Sequence, residues 1–126
     1  MKVTDTQTRV RSRELGSARS GSHHWWLQRV TALALAPLTI WFVISFAVLI
    51  DADYRAYSRW IGSPFNATLM ILFVIMLFYH LALGLQVIVG DYVHTDRLKL
   101  CALISIQFGC LALAIAGLVS ILRTIA

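Results

Sequence analysis

Three apolar runs, preceded by a polar arm and separated by two polar connections, divide the chain at about residues 25–50, 67–90 and 100–122. Each run holds the roughly 20 apolar residues that a bilayer crossing requires. None alternates with period two, and each is far longer than a strand, so all three predict helices. The pattern therefore predicts an all-α, integral membrane protein with three transmembrane helices. Residues 1–22 form a basic tail and residues 23–126 a three-helix membrane domain. Trp25 and Trp26 mark a water–lipid boundary, where amphipathic rings prefer to sit. Pro37 predicts a bend in the first helix, which neighbouring helices accommodate. Ser63-Pro64 is a turn signal ahead of the second helix, and Tyr54, Tyr57 and Trp60 fit an interfacial belt. Small residues mark expected close helix contacts: Ala32 and Ala36 in the first span, and Gly109, Ala112, Ala116 and Gly117 in the third.

Composition removes the soluble alternatives. The chain is 59% hydrophobic and 13% charged, whereas soluble domains carry about a quarter charged residues. The net charge of +5 raises the question of nucleic acid. However, Lys2, Arg9, Arg11, Arg13 and Arg19, five of the eleven basic residues, precede the first apolar run. That clustering orients a chain in a bilayer and predicts no nucleic-acid partner. The basic amino terminus is expected on the cytoplasmic side, the 51–66 connection outside, the 91–99 connection inside and the carboxyl terminus outside. Arg97 and Lys99 on the inner connection agree. The tail has no apolar core and so is not a secretory signal. Its Arg and Ser content suits a transit peptide, but Asp5 and Glu14 do not. It is expected to be a disordered or partner-bound arm, with Gly16–Ser22 as the joint. Cys101 and Cys110 lie nine residues apart in one helix, about 13 Å along its axis, too far for a bridge.

Chemistry concentrates in the second span. His80 lies ten residues before Gly90, about 15 Å along a helix and close to the midplane of a core about 30 Å thick. A histidine in hydrocarbon is a functional-site candidate. Gly84, Val87 and Asp91 share its face at spacings of four, seven and eleven residues. Arg29 lies four residues past Trp25, about 6 Å in, and hence about 9 Å from His80 in depth. A haem standing upright would put its iron at His80 and its propionates at Arg29, since imidazole ligates haem iron and guanidinium pairs with carboxylate. A neutral His80 bonded to a neighbouring helix and an Arg29 snorkelling to the interface are the plain alternatives. With one membrane histidine, a bis-histidine haem needs a second chain. At the inner boundary, Tyr92 can donate a hydrogen bond to a quinone carbonyl, and Asp91 can hold the phenol or pass protons. The plain alternatives there are a belt aromatic and a loop acid. His23, His24 and His94 read as interfacial polar residues.

His80, Gly84 and Gln86, followed by Asp91-Tyr92-Val93-His94, resemble the second-helix motif of the small hydrophobic membrane-anchor subunit of succinate dehydrogenase (respiratory complex II). Trp26-Leu27-Gln28-Arg29-Val30-Thr31-Ala32 and Pro37-Leu38-Thr39 resemble the first helix of the same family. The similarity covers the body from about residue 23 onward. It implies haem b ligation by His80, with the haem shared with a second anchor subunit, and a propionate contact at Arg29. It also implies a ubiquinone hydrogen bond from Tyr92, supported by Asp91. The implied partners are a second membrane anchor subunit, an iron–sulfur subunit and a flavoprotein subunit, in a bacterial cell inner membrane or, alternatively, a mitochondrial one. Succinate would be oxidised on the flavoprotein, so this chain is non-catalytic by itself. An anchor of a fumarate reductase-type enzyme and a cofactor-free assembly or transport subunit remain the alternatives.

Overall fold

The computed structural model describes residues 2–126, with side chains from Ser22 onward. Four helices follow in order: α1 (Lys2–Leu49), α2 (Tyr54–Gly62), α3 (Pro64–Tyr92) and α4 (Asp96–Ile125). Every described element is helical, in agreement with the all-α expectation. The expected tail over residues 1–22 falls, but for Ser22, outside the residues whose side chains are described.

Three segments are long and apolar enough to cross a membrane: Ser22–Leu49, Pro64–Tyr92 and Asp96–Ile125, of 28, 29 and 30 residues. At the helical rise each is about 42–45 Å long, so each overruns a 30 Å hydrocarbon core into both headgroup layers. All three are longer than the apolar runs that announce them. Hydropathy locates where lipid begins, but helical hydrogen bonding continues until a capping residue stops it.

The first connection departs from expectation. It folds into α2, which the sequence pattern leaves as a loop. Asp53 caps this helix by accepting a hydrogen bond from the Ala56 backbone N–H at 2.8 Å. Such a cap stabilises a helix by about 1 kcal/mol. Ile61 is fully buried beneath it, while Tyr54, Arg55 and Arg59 stay exposed. The Trp60 ring stacks on Trp41 of α1 at 5.6 Å between centroids. Ser63 alone separates α2 from α3, and Pro64 opens α3 in its first turn, where a missing N–H costs nothing. The Asn66 side-chain amide donates to the Trp60 carbonyl at 3.0 Å and ties the corner. The Ser63-Pro64 turn is thus where the sequence places it.

The second connection is shorter than expected. Only Val93, His94 and Thr95 lie between α3 and α4. Asp91 and Tyr92 belong to the last turn of α3, and Asp96 to Lys99 open α4.

Helix α3 is central, packed against both α1 and α4, while α2 caps the α3–α4 pair. Toward α3, α1 presents Thr31, Leu35, Leu38 and Phe42, a stripe at spacings of four, three and four. Leu35 and Leu38 meet Phe73, and the Phe42 and Phe73 rings stack 4.7 Å apart. Ala32 and Ala36 are exposed beside this stripe rather than within it. Of the four small positions marked in the third span, Gly117 alone has the expected role inside this chain. A Cβ there would lie 3.1 Å from Val74 Cγ1, whereas one at Gly109 would meet nothing within 4 Å. Ala112 and Ala116 are exposed. Small side chains identify a surface that can be approached closely; they do not say which helix approaches it. Val43, Ile44, Phe46, Leu111, Leu113 and Val119 face outward, a surface suited to lipid or another membrane chain.

Because lipid tails are as apolar as leucine, α3 and α4 are held by close packing rather than by hydrophobic burial. Gly117→Leu should therefore part them and cost about 1–3 kcal/mol, read as a lowered thermal midpoint of the detergent-solubilised protein. Gly117→Ala, needing only a few tenths of an ångström from Val74, should cost much less. An unchanged midpoint for Gly117→Leu would contradict this packing.

Candidate functional site

A polar contact crosses the α1–α3 interface one turn below the Leu35–Phe73 cluster. The Thr31 hydroxyl lies 2.9 Å from Nδ1 of His80. The same hydroxyl lies 2.8 Å from the Leu27 carbonyl oxygen and 3.0 Å from that of Gln28. Thr31 is 4% exposed. Among the described residues, no buried side-chain nitrogen or oxygen lacks a hydrogen-bond partner.

His80 is half-buried, and its ring lines a cavity of about 340 Å³ together with Trp25, Gln28, Arg29 and Ala32. All but His80 come from α1, so the cavity is a notch along one helix with the imidazole as its inner wall. Gly84 is not among the cavity walls; a Cβ there would stand 3.8 Å from the Gln28 amide nitrogen, an ordinary contact. The notch beside His80 is walled by α1 rather than by Gly84. The Arg29 guanidinium sits over the Trp25 ring, 5.2 Å from its centroid. An exposed cation–π contact of this kind is worth about 0.5–1 kcal/mol, enough to bias the rotamer.

The contact with Thr31 corrects the counted depths. His80 is level with Thr31, which lies only two residues, or about 3 Å, beyond Arg29 along α1. The count of 9 Å assumes that both helices meet the inner boundary at Trp25 and Gly90, and both run past those residues. Trp25, however, holds the guanidinium. The Trp25 and Thr31 levels are six residues, or about 9 Å, apart along the helix. The guanidinium is thereby held on the Trp25 side of Arg29.

The two alternatives for His80 are thus not exclusive. One ring nitrogen lies within hydrogen-bond distance of α1, and the residue also lines the cavity. Asp91 and Tyr92 are not brought to this cavity. Both are exposed, Tyr92 at 78%, and Tyr92 lies twelve residues, or about 18 Å, beyond His80 along α3. Val87, expected on the His80 face, is also exposed. No group of three or more His, Cys, Asp or Glu side chains able to hold a metal ion occurs among the described residues. Cys101 is exposed and Cys110 buried, both as free thiols. A larger cleft of about 440 Å³ between α3 and α4 has Gln86 and Gln107 on its walls but no histidine, arginine or carboxylate.

Thr31 is the site residue that the sequence pattern does not single out. It stands within the first-helix motif with no role of its own there. A hydroxyl in an apolar helix, two residues from the candidate arginine, is the available signal. Trp25 reads from sequence as a boundary marker and proves to be a cavity wall as well.

Residues 4–116 match the family described as succinate dehydrogenase/fumarate reductase transmembrane subunit. The chain is 33% identical over 113 residues to the succinate dehydrogenase hydrophobic membrane anchor subunit of Rickettsia conorii, covering 89% of this chain and 90% of that one. It is 34% identical over 102 residues to the protein of the same description from Paracoccus denitrificans, covering 81% and 79%. The succinate dehydrogenase membrane anchor subunit of Reclinomonas americana is 30% identical over 92 residues, covering 71% and 77%. With three apolar helices, a histidine between two of them, and matches across most of its length, the chain belongs to the succinate dehydrogenase/fumarate reductase transmembrane subunit family.

Proposed function

We propose that this chain is a membrane anchor subunit of a succinate:quinone oxidoreductase, supplying one axial ligand and one propionate contact to a b-type haem and helping to bind ubiquinone at its inner end. The observation that carries the haem reading is the state of the His80 ring. Its Nδ1 is engaged by Thr31, and its other nitrogen is free on a cavity that also bears Arg29. That donor set would fit one face of a haem: the His80 imidazole for the iron and the Arg29 guanidinium for carboxylates. A bound b-type haem supplies a one-electron redox centre within the membrane. The second axial ligand would come from the second anchor subunit, whose helices would close the open side of the cavity.

Tyr92 and Asp91 belong to a separate quinone-binding region in this reading. Tyr92 is exposed at the end of α3, beside a connection that carries Arg97 and Lys99. Those two residues and the five basic residues of the amino-terminal arm make seven of the eleven basic residues. Against them, Arg55, Arg59 and Arg123 lie toward the opposite side. The positive-inside rule then puts the amino terminus and Tyr92 on the cytoplasmic side of a bacterial inner membrane. The iron–sulfur and flavoprotein subunits would dock on that side. A phenol is neutral at pH 7, tolerates the lipid boundary, and can hydrogen-bond a quinone carbonyl as charge develops on it. Asp91, its neighbour in the same turn, would orient the phenol or relay protons. The cited relatives favour succinate dehydrogenase over the fumarate reductase-type alternative.

Replacing His80 with Leu should abolish the native ligation signature of the b-type haem in low-temperature magnetic resonance of the assembled complex. An unaltered signature would remove His80 from the iron. Arg29→Leu deletes a charged hydrogen-bond donor worth about 1.5–3 kcal/mol. It should loosen haem retention about tenfold or more, or shift the potential. Wild-type retention and potential would make Arg29 a snorkelling residue only. Tyr92→Phe should depress succinate-to-quinone turnover about 100-fold while leaving succinate oxidation by an artificial flavin-site acceptor near wild type. Asp91→Asn should act in the same direction more weakly. Quinone reduction at the wild-type rate by the assembled Tyr92→Phe complex would return Tyr92 to the aromatic belt.

A further inference from the structure

Thr31 is buried and polar, and it meets His80 in a contact whose proton inventory can be counted. Its Oγ lies near three groups: the Leu27 and Gln28 carbonyl oxygens at 2.8 and 3.0 Å, and His80 Nδ1 at 2.9 Å. A hydroxyl has one proton and two lone pairs. Carbonyl oxygens can only accept, so a hydrogen bond to the preceding turn uses the Thr31 proton. This back-bond is a common arrangement for threonine within a helix. The lone pairs of Oγ then remain for Nδ1. Two lone pairs cannot face each other favourably at 2.9 Å, so Nδ1 must carry the hydrogen.

We infer that Thr31 is a positioning residue: by accepting a hydrogen bond from Nδ1–H it fixes His80 in one tautomer and presents the Nε2 lone pair to the cavity it shares with Arg29. The inference deepens the haem reading and rests on it for its functional meaning, although the tautomer itself does not.

The opposite arrangement has Thr31 donating to a bare Nδ1. That leaves the backbone carbonyls without the hydroxyl proton and puts Nε2–H into the cavity, where no iron can be bound. It makes one hydrogen bond where the proposed arrangement makes two, a real difference in a low-dielectric interior. Which nitrogen of a histidine is free is set by the bond the other one makes. An acceptor on Nδ1–H also raises the basicity of the ligating nitrogen, and the loss of such a supporting partner typically weakens metal binding about 10- to 100-fold. A more basic axial imidazole favours the oxidised iron, so the Thr31 contact should lower the haem potential.

Two measurements test this. The first is nitrogen-15 nuclear magnetic resonance of the full chain, histidine-labelled and haem-free in lipid bilayers, with the His80 signals assigned by comparison with His80→Leu. The proposal expects a protonated Nδ1 and a bare Nε2; the reverse pattern overturns it, whatever the haem does. The second uses the assembled complex carrying Thr31→Val or Thr31→Ser. Valine keeps the shape and removes the acceptor, and serine restores it. Thr31→Val should raise the haem midpoint potential and weaken haem retention by about tenfold or more, and Thr31→Ser should return both toward wild type. Equal shifts in the two variants, or none in either, overturn the positioning role. If instead the His80→Leu complex keeps the wild-type ligation signature, the haem reading fails and the tautomer result stands on the resonance data alone.

Discussion

The meeting of Thr31 and His80 across the α1–α3 interface is the contact on which the rest depends. An imidazole N–H in hydrocarbon needs an acceptor or forfeits the solvation it had in water, at a cost of about 1–3 kcal/mol. In the proposed arrangement Thr31 provides the acceptor, its hydroxyl lying 2.9 Å from Nδ1. The contact also fixes the axial register of the two helices, because only Thr31 on the α1 stripe offers a hydroxyl to His80. Leu35, Leu38 and Phe42 then fall opposite Phe73 and its neighbours in the same register. Specificity thus comes from one polar pair, and adhesion from the apolar layer above it. Lipid contributes little to holding apolar helices together, so it leaves that division of labour exposed.

Function follows from the asymmetry of the imidazole. The ring is used twice: one nitrogen holds the fold, and the other opens on a cavity walled by Trp25, Gln28, Arg29 and Ala32. Trp25 holds the Arg29 guanidinium, so a cation and an imidazole stand on the walls of one notch. Half of a haem site has this form, and a family of transmembrane subunits within a larger enzyme is a fitting place for half a site. The inner end of α3, with its exposed Tyr92, lies about 18 Å away along the helix. The proposed haem and quinone contacts are therefore well separated along one helix.

Much of this is legible in the sequence. Hydrophobic length announces three helices, because a bilayer imposes its thickness on composition. His80, Gly84 and Arg29 stand out, since polar or backbone-exposing residues in lipid require a reason. What stays hidden depends on partners. Helix α2 is held by an Asp53 cap and a buried Ile61 rather than by a long apolar run. The small residues of the third span are visible as a class, but only Gly117 meets Val74, and no pattern in one sequence names the opposing helix. Thr31 carries only a faint signal, a hydroxyl in an apolar helix near the candidate arginine, because threonine is routine in a membrane helix until a histidine is found opposite. The separation in depth between Arg29 and His80 is overcounted from Trp25 and Gly90, which mark a boundary only loosely.

The central claim is that His80 of this chain is one of two axial ligands, the other belonging to a different subunit. The direct measurement assembles the complex from this chain labelled with nitrogen-15 histidine and unlabelled partners, then records electron–nuclear double resonance of the oxidised haem. Among the four histidines of the chain, His80 alone lies deep in a span. The account predicts one directly bonded nitrogen-15 and one directly bonded nitrogen-14 from histidine. Two nitrogen-14 ligands, with no nitrogen-15 bonded to the iron, would contradict it.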